Sequence, residues 1–220
     1  MTYRLFAYLS LLLAGLLLAA CGTTTPSKYY TLGSIDDDLN KQKATAQAAF
    51  AIQIPYVDVP EQVDRTQILL SQPNSTEVTV LNDSLWTAPL GDEIRLALTN
   101  TLSGQLQTID LSQIKSSVAI PTWTFRVDVQ GFQLVYGQFA RIKASWQMTP
   151  SGLPGATGKI CQMDVKVPVK ADGIEPLIAA QRTGVQTLAL AMAAQVGPEK
   201  SAALPSASTQ YTQALSCQSI

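Results

Sequence analysis

The chain has 220 residues, of which 46% are hydrophobic and 14% are charged, with 15 basic and 16 acidic side chains. This near-neutral balance gives no sign of the basic stripe that nucleic-acid-binding proteins carry. Histidine is absent, which removes the commonest general base and metal ligand, together with the Ser-His and Cys-His catalytic pairs.

The N-terminus has the pattern of an export signal. Arg4 is followed by an apolar segment, residues 5–20, that ends in small residues. This segment is shorter than the roughly 20 residues of a membrane-spanning helix, and no cluster of Lys and Arg follows to hold it in the membrane. We therefore expect residues 1–20 to be a cleaved signal peptide rather than a retained anchor.

Cys21 stands where cleavage is expected, directly after Leu18, Ala19 and Ala20. An aliphatic residue, two small residues and then cysteine form the lipobox of bacterial lipoproteins, in which the cysteine receives diacylglycerol and becomes the mature N-terminus. Two or three acyl chains give stable attachment, whereas one chain is reversible. The alternative is an ordinary signal peptide with a chance cysteine. Gly22 follows instead of Asp, and resemblance to enterobacterial lipoprotein sorting then favours the outer membrane.

The mature chain divides into a tether, a domain and a tail. Residues 21–49 form a polar tether with a short strand at the apolar island 29–32, and residues 50–196 are long enough for one domain. Alternating apolar residues predict strands at 50–56, 66–70 and 78–80, and Pro55 and Pro60 break the first of them early or confine it to an edge. Apolar residues every four positions then predict a helix over 88–106. These residues are Leu90, Ile94, Leu98, Leu102 and Leu106.

The second half of the domain repeats this order. Strands are predicted over 123–136, 139–148 and 160–169, and a helix over 173–196 follows them. Three strands, a helix, three strands and a helix indicate an α+β fold, with a mixed sheet of about six strands and both helices packed on one face. Residues 197–220 are rich in Ala, Ser, Gln and Thr and predict a flexible C-terminal tail.

Cys161 and Cys217 are the two cysteines that remain beside Cys21. Export places them in an oxidising compartment, where a disulfide between them can form. The alternative is two separate thiols, with Cys161 buried in the last strand and Cys217 in a mobile tail, because sequence does not determine connectivity.

Gly137-Gln138 predicts a two-residue type II′ turn in a hairpin. In that register Tyr136 faces Phe139 and Leu134 faces Arg141, which places an apolar cluster on one face near the turn. The cluster and its charged rim consist of Phe132, Leu134, Tyr136, Phe139, Arg141 and Lys143. An apolar patch with a polar rim is a candidate interface for a partner or a second subunit. Alternatively, the tether or the tail covers this patch within one subunit.

Two acidic runs and Trp86 have structural interpretations. Residues 36–38 are aspartates that fit a solvated linker, and Asp92-Glu93 fits the first turn of a helix, where negative charge complements the dipole. Trp86 is interpreted as a packing residue that sets the angle at which the chain enters the helix. We therefore expect that the protein is not an enzyme and that it binds no cofactor.

Two segments carry a family resemblance. Tyr29-Tyr30-Thr31-Leu32 follows Cys21 closely, and a Leu-Trp-x-x-Pro-Leu string, residues 85–90, leads into the first helix. With these segments, the chain from Cys21 to about Val196 resembles the ABC-type transport auxiliary lipoproteins, and among them the PqiC-like intermembrane transport lipoproteins.

The resemblance implies a lipoprotein that faces the periplasm from the outer membrane and is not an enzyme. It implies an MCE-domain partner that forms a lipid channel across the periplasm, the inner-membrane component of that system, and no cofactor besides the lipid on Cys21. The protein is then expected to dock or cap the channel, to support envelope integrity and to form a homo-oligomer. The alternatives are a structural or assembly lipoprotein of another outer-membrane complex, and an envelope hydrolase, which the lack of histidine and of a nucleophile motif disfavours.

Overall fold

The computed structural model describes residue 3 and residues 26–33, 49–114, 119–196 and 212–220. Within these ranges lie nine strands and two helices. The strands are β1 Lys28–Tyr30, β2 Ala51–Gln53, β3 Val57–Asp58, β4 Gln67–Ser71, β5 Val78–Trp86, β6 Thr122–Val135, β7 Phe139–Ser151, β8 Lys159–Pro168 and β9 Thr212–Ser219; the helices are α1 Leu90–Leu106 and α2 Ile174–Ala194. Cys21, the lipobox and most of the predicted tether lie outside the described residues.

The nine described strands join one mixed sheet; seven of them follow the order β1-β5-β4-β6-β7-β8-β9, and β2 and β3 also pair with β6. β6 organises this sheet, because β7 pairs with it along its whole length on one side, while β2, β3 and β4 follow one another along its other side. Pro55 lies between β2 and β3, and it cannot donate to the ladder, so the predicted first strand is divided in two. The predicted α+β class is confirmed, with nine strands in place of about six.

The core lies between the sheet and the two helices. α2 packs across β7 and β8, and α1 packs against α2. Gly184 leaves room for no more than a small side chain at this contact, because a Cβ there would lie 3.4 Å from Ile142 Cγ2 and 3.9 Å from Val167 Cγ2. Four of the five periodic residues of α1 are fully buried, namely Leu90, Ile94, Leu98 and Leu102.

α1 begins two residues later than predicted. Pro89 is its N-cap and has an extended backbone, with no side-chain hydrogen bond to cap the helix. Asp64, in the connection between β3 and β4, takes over this role, since its Oδ1 accepts a hydrogen bond from the Gly91 N–H at 3.2 Å.

The β6–β7 hairpin differs from the predicted register. Val135 pairs with Phe139, so the turn has three residues, and Gln138 N–H closes it by donating to Val135 O at 3.1 Å. Gly137, at its centre, has a φ of 62°, a backbone conformation that glycine adopts without strain. The predicted two-residue turn, with Tyr136 opposite Phe139, is therefore wrong.

A β-bulge in β6 changes which residues face the core. The pairing with β7 shifts between Val129 and Gly131, so Gln130 is an extra residue in the strand. Odd-numbered residues face the core up to Val129, and even-numbered residues face it from Phe132 onward. Leu134, opposite Ala140, is only 2% exposed. Phe132 and Leu134 therefore lie on the core side of the sheet, and not in an exposed patch.

The C-terminal segment is also more ordered than its composition predicts. β9 pairs with β8 in an antiparallel ladder of eight residue pairs, which makes it an edge strand of the sheet. Because an edge strand has one solvent-exposed side, its Ser, Gln and Thr residues are compatible with pairing. The predicted flexible tail is therefore wrong for Thr212–Ser219, and residues 197–211 lie outside the described part of the chain.

Leu134→Ala is expected to lower the free energy of unfolding by about 2–4 kcal/mol, because it leaves a cavity in the core. Gln133→Ala, at the adjacent exposed position, is the matched control and should change it by less than about 0.5 kcal/mol. Chemical denaturation followed by tryptophan fluorescence measures both values. Equally small effects at the two positions would mean that Leu134 faces solvent.

Candidate anchoring and docking site

Glu93, in the first turn of α1, joins the N-terminal segment to the domain. It is only 2% exposed. Its Oε2 accepts hydrogen bonds from Thr31 Oγ1 at 2.8 Å and from the Leu32 backbone N–H at 2.9 Å, and its Oε1 accepts one from Thr87 Oγ1. We call Glu93, Thr31, Leu32 and Thr87 the Glu93 latch. Three donors and the positive end of the helix dipole compensate the burial of this carboxylate.

Backbone hydrogen bonds extend the Glu93 latch. β1 runs parallel to β5, with Tyr30 opposite Trp86, and Thr87 N–H donates to Tyr30 O at 3.0 Å. Thr31 Oγ1 accepts a hydrogen bond from Gly33 N–H at 3.1 Å. The two segments that carry the family resemblance, 29–32 and 85–90, are therefore parts of one structural unit.

Apolar packing accompanies these polar contacts. Leu32, Trp86 and Leu90 are all buried. The Trp86 ring meets the Phe132 ring edge to face, with ring centroids 6.0 Å apart and an interplanar angle of 79°, a favourable arrangement for two aromatic rings. Trp86 thus packs as predicted.

Glu93 is the residue whose role sequence reasoning missed. Its place in the first turn of α1 was predicted, but its burial and its bonds to a segment 61 and 62 positions earlier were not. The local sequence contains one indication of this role. Thr87 lies six positions before Glu93, and at the start of the helix this spacing brings the Thr87 hydroxyl to the Glu93 carboxylate.

Cys161 and Cys217 are joined by a disulfide across β8 and β9, so the alternative of two separate thiols is not what the structure contains. The two residues face each other in the ladder, with their Cα atoms 4.1 Å apart. Cys161 is buried, as expected, and Cys217 is exposed at the sheet edge. A bond between residues 56 positions apart contributes roughly 4 kcal/mol in the chain-entropy model, and it secures β9 to the sheet.

The structure separates the residues of the predicted interface. Phe132 and Leu134 are on the core side of β6. Tyr136 lies in the turn, where its backbone N–H donates to Ser71 O at 3.0 Å and its side chain is half-buried. The remaining three residues lie on the other face of the sheet, which we call the outer face.

On the outer face, Phe139 and Arg141 contact residues of β8, and Lys143 is exposed. Lys166 Nζ lies 3.8 Å from the centroid of the Phe139 ring. Arg141 Nε and Nη2 donate to the two carboxylate oxygens of Asp164, at 2.8 and 2.5 Å. These hydrogen bonds hold the pKa of Asp164 below its ordinary value and raise the pKa of Arg141. Both side chains are about a third exposed or more, so the pair contributes less than about 1 kcal/mol to stability.

An apolar patch does lie on the outer face, and β4 and β5 supply much of it. Ser71 pairs with Val78 in β5 and with Val135 in β6, which brings the three strands side by side. The patch, which we call the outer-face patch, consists of the exposed Val78 and Val80 and the half-buried Leu69 and Phe139, with the buried Val135 between them. Val78 is 52% exposed and Val80 is 40% exposed. Alternation in the sequence places these two valines on one face but does not show which face is covered.

A cleft of about 890 Å³ lies at the end of the domain where both helices finish. Phe50, Leu106, Trp123 and Leu153 give it a largely apolar lining. Lys159 stands at its wall, and its Nζ donates to the backbone O of Gln195 at 3.3 Å and to the Gln195 side-chain oxygen at 3.4 Å. A cation is favourable there because the negative end of the α2 dipole is close.

Some features are absent from the part of the chain that the structure describes. It contains no group of three or more Cys, Asp or Glu side chains that could hold a metal ion. None of its helices has the length and apolar character needed to cross a membrane.

Comparison with known proteins gives one family and a shared fold. A family model described as ABC-type transport auxiliary lipoprotein component matches residues 30–193. Among solved structures, the chain is similar to an uncharacterized protein (TM-score 0.58, 19% identity, 79% of this chain and 100% of that one), which at this identity shows the fold alone. Weaker similarities are to a Xanthomonas campestris protein of the DUF330 family model (TM-score 0.49, 15% identity, 76% and 90%) and to a PelC dodecamer from Paraburkholderia phytofirmans (TM-score 0.36, 6% identity, 80% and 95%). No curated protein sequence matches the chain significantly.

Glu93→Ala is expected to lower the free energy of unfolding by about 2–4 kcal/mol, because the buried Leu32 N–H and the part-buried Thr31 hydroxyl then lose their charged acceptor. Asp92→Ala is the matched control. Its side chain is 60% exposed, and its Oδ1 lies 3.6 Å from Arg95 Nε one turn away, so its loss should cost less than about 0.5 kcal/mol. Urea denaturation of the three proteins measures the difference, and similar values for both variants would show that the Glu93 latch does not stabilise the domain.

Proposed function

Because the chain belongs to the ABC-type transport auxiliary lipoprotein family, we propose that it docks or caps an MCE-type intermembrane lipid channel at the outer membrane. The protein acts there as a lipid-anchored, non-enzymatic subunit that needs no cofactor. Membership of the family implies partnership with a transport system. The proposal goes beyond family membership in four respects: the MCE partner, the inner-membrane component of that system, the outer-membrane location and the periplasmic orientation.

The Glu93 latch is the observation that carries this proposal. It joins the segment that follows Cys21 directly to the first turn of α1. If Cys21 is acylated, the lipid anchor is therefore connected to the sheet itself. The domain would then be held close to the membrane and would not be loosely tethered. This is the property that a docking subunit needs, because its binding surface must stay at a defined distance from the lipid.

The outer-face patch supports a docking role. It presents Val78 and Val80 on strands that the sheet holds rigidly, and charged side chains of Arg141, Asp164 and Lys143 lie beside it on the same face. An apolar centre with a polar border is the usual composition of a protein interface. The patch replaces the predicted cluster around Leu134 as the surface on which a channel partner or a second copy of the chain would bind.

Co-purification from the native bacterium, after crosslinking in the cell, tests the proposal. The tagged parent should bring an MCE-domain protein with it from the outer-membrane fraction. Val80→Asp should reduce the recovered MCE protein at least about tenfold, because a charge is then buried in the interface. Ile160→Asp is the matched control, since Ile160 is 47% exposed on the same face but distant from the patch, and it should have no effect.

Three results would count against the proposal. Recovery of other outer-membrane assembly proteins in place of an MCE protein would favour the structural or assembly role. Equal recovery with Val80→Asp and Ile160→Asp would exclude the outer-face patch as the interface. Normal acylation and outer-membrane fractionation of Cys21→Ser would remove the lipoprotein assignment.

A further inference from the structure

The chain enters β1 from one end of the domain. β1 runs parallel to β5, and β5 begins at Val78, which pairs with Ser71 at the end of β4. Ser71 also pairs with Val135, beside the β6–β7 turn. The residues before Lys28 therefore approach from the end that carries this turn and the β4–β5 connection, residues 72–77. We call it the tip end, and we call the opposite end, with the β7–β8 connection at residues 152–158, the far end.

The start of α2 also lies at the tip end and contacts the entering chain. Lys28 Nζ lies 3.9 Å from Glu175 Oε1 in the first turn of α2. A Cβ on Gly137, in the β6–β7 turn, would lie 3.5 Å from Asp172 Oδ1, which places the beginning of α2 beside that turn. Because the Glu93 latch holds the following residues in the sheet, the N-terminal segment meets the domain on the tip side.

The distance from Cys21 to the domain is short. Pro26, where the described segment begins, is five positions after Cys21. At 3.3–3.6 Å per residue, their Cα atoms are at most roughly 18 Å apart. β6 has 14 residues and spans roughly 46 Å at 3.3 Å per residue. With the far end against the membrane, Cys21 could not reach the lipid.

We propose that the tip end rests against the lipid surface that holds the acyl chains of Cys21, so that the far end and its cleft point away from the membrane. This inference rests on the acylation of Cys21 in the proposed function. One exposed aromatic side chain on the entering segment fits a lipid surface, since Tyr29 in β1 is 64% exposed. Tyrosine is favoured in the interfacial region of a bilayer because its ring is apolar and its hydroxyl is polar.

Net charge does not drive this contact. Exposed basic and acidic side chains are equal in number near the tip end. The basic residues are Lys28, Lys166 and Lys170, and the acidic residues are Glu77, Asp172 and Glu175. The short tether and Tyr29 therefore determine the orientation. The contact should depend little on anionic lipid or on salt.

Energy transfer from the protein to a bilayer tests the orientation. The acylated protein is placed in vesicles of phosphatidylethanolamine and phosphatidylglycerol that carry a lipid-bound acceptor dye. A donor dye is attached to one new cysteine, either Thr76→Cys at the tip end or Thr157→Cys at the far end, both at exposed positions. Because Cys21 is acylated and Cys161 is bonded to Cys217, neither protein offers another thiol. Transfer should be at least about fivefold more efficient from position 76.

A longer tether provides the control. Ten Gly and Ser residues inserted between Thr25 and Pro26 roughly triple the reach, so transfer from position 76 should fall. Equal transfer from positions 76 and 157, stronger transfer from 157, or an insertion without effect would overturn the inference. Mass spectrometry of the same samples reports acylation. An unacylated mature chain would overturn the lipoprotein assignment together with this inference, whereas an acylated chain with its far end at the lipid would overturn the inference alone.

Discussion

The buried carboxylate of Glu93 holds Thr31 and Leu32 of the N-terminal segment against the domain. β1 has only three residues, and so short an edge strand contributes little stability through its ladder alone. The hydrogen bonds of the Glu93 latch supply the rest, because this carboxylate accepts from the buried Leu32 N–H and from the hydroxyls of Thr31 and Thr87. The buried Leu32 N–H left unpaired would alone cost about 1–3 kcal/mol. The position of the N-terminal segment on the domain therefore depends on a residue about 60 positions further along the chain.

Both edges of the sheet are secured by bonds outside the backbone ladder. The Glu93 latch holds β1 at one edge, and the disulfide between Cys161 and Cys217 holds β9 at the other. Between these edges, the bulge at Gln130 decides which residues at the end of β6 are buried, since it places Leu134 in the core and Val135 on the outer side of the sheet. In the described residues both helices lie on the inner face, so the outer face keeps its apolar patch near the end where the chain enters.

The regular elements could be predicted from the sequence because their burial repeats along the chain. The four-residue spacing of apolar residues gives α1 and its buried stripe, and alternation gives the face of β8 that buries Cys161. The bulge could not be predicted, because a single extra residue such as Gln130 has no periodic signature, and it reversed the face assigned to Leu134. β9 was missed because its polar composition suits both a tail and an edge strand. The burial of Glu93 depends on contacts about 60 positions away, which no local pattern contains.

Hydrogen exchange at two backbone amides tests the role of Glu93 most directly. Leu32 N–H donates to the Glu93 carboxylate, and Thr87 N–H donates to Tyr30 O beside it. Both amides should exchange slowly in the native protein and at least about tenfold faster in Glu93→Ala, which corresponds to roughly 1.4 kcal/mol of lost local stability. The amide of Ile142 in the centre of β7 should stay protected and show that the domain remains folded. Equal protection of Leu32 and Thr87 in the parent and the variant would contradict the claim that Glu93 holds the N-terminal segment in place.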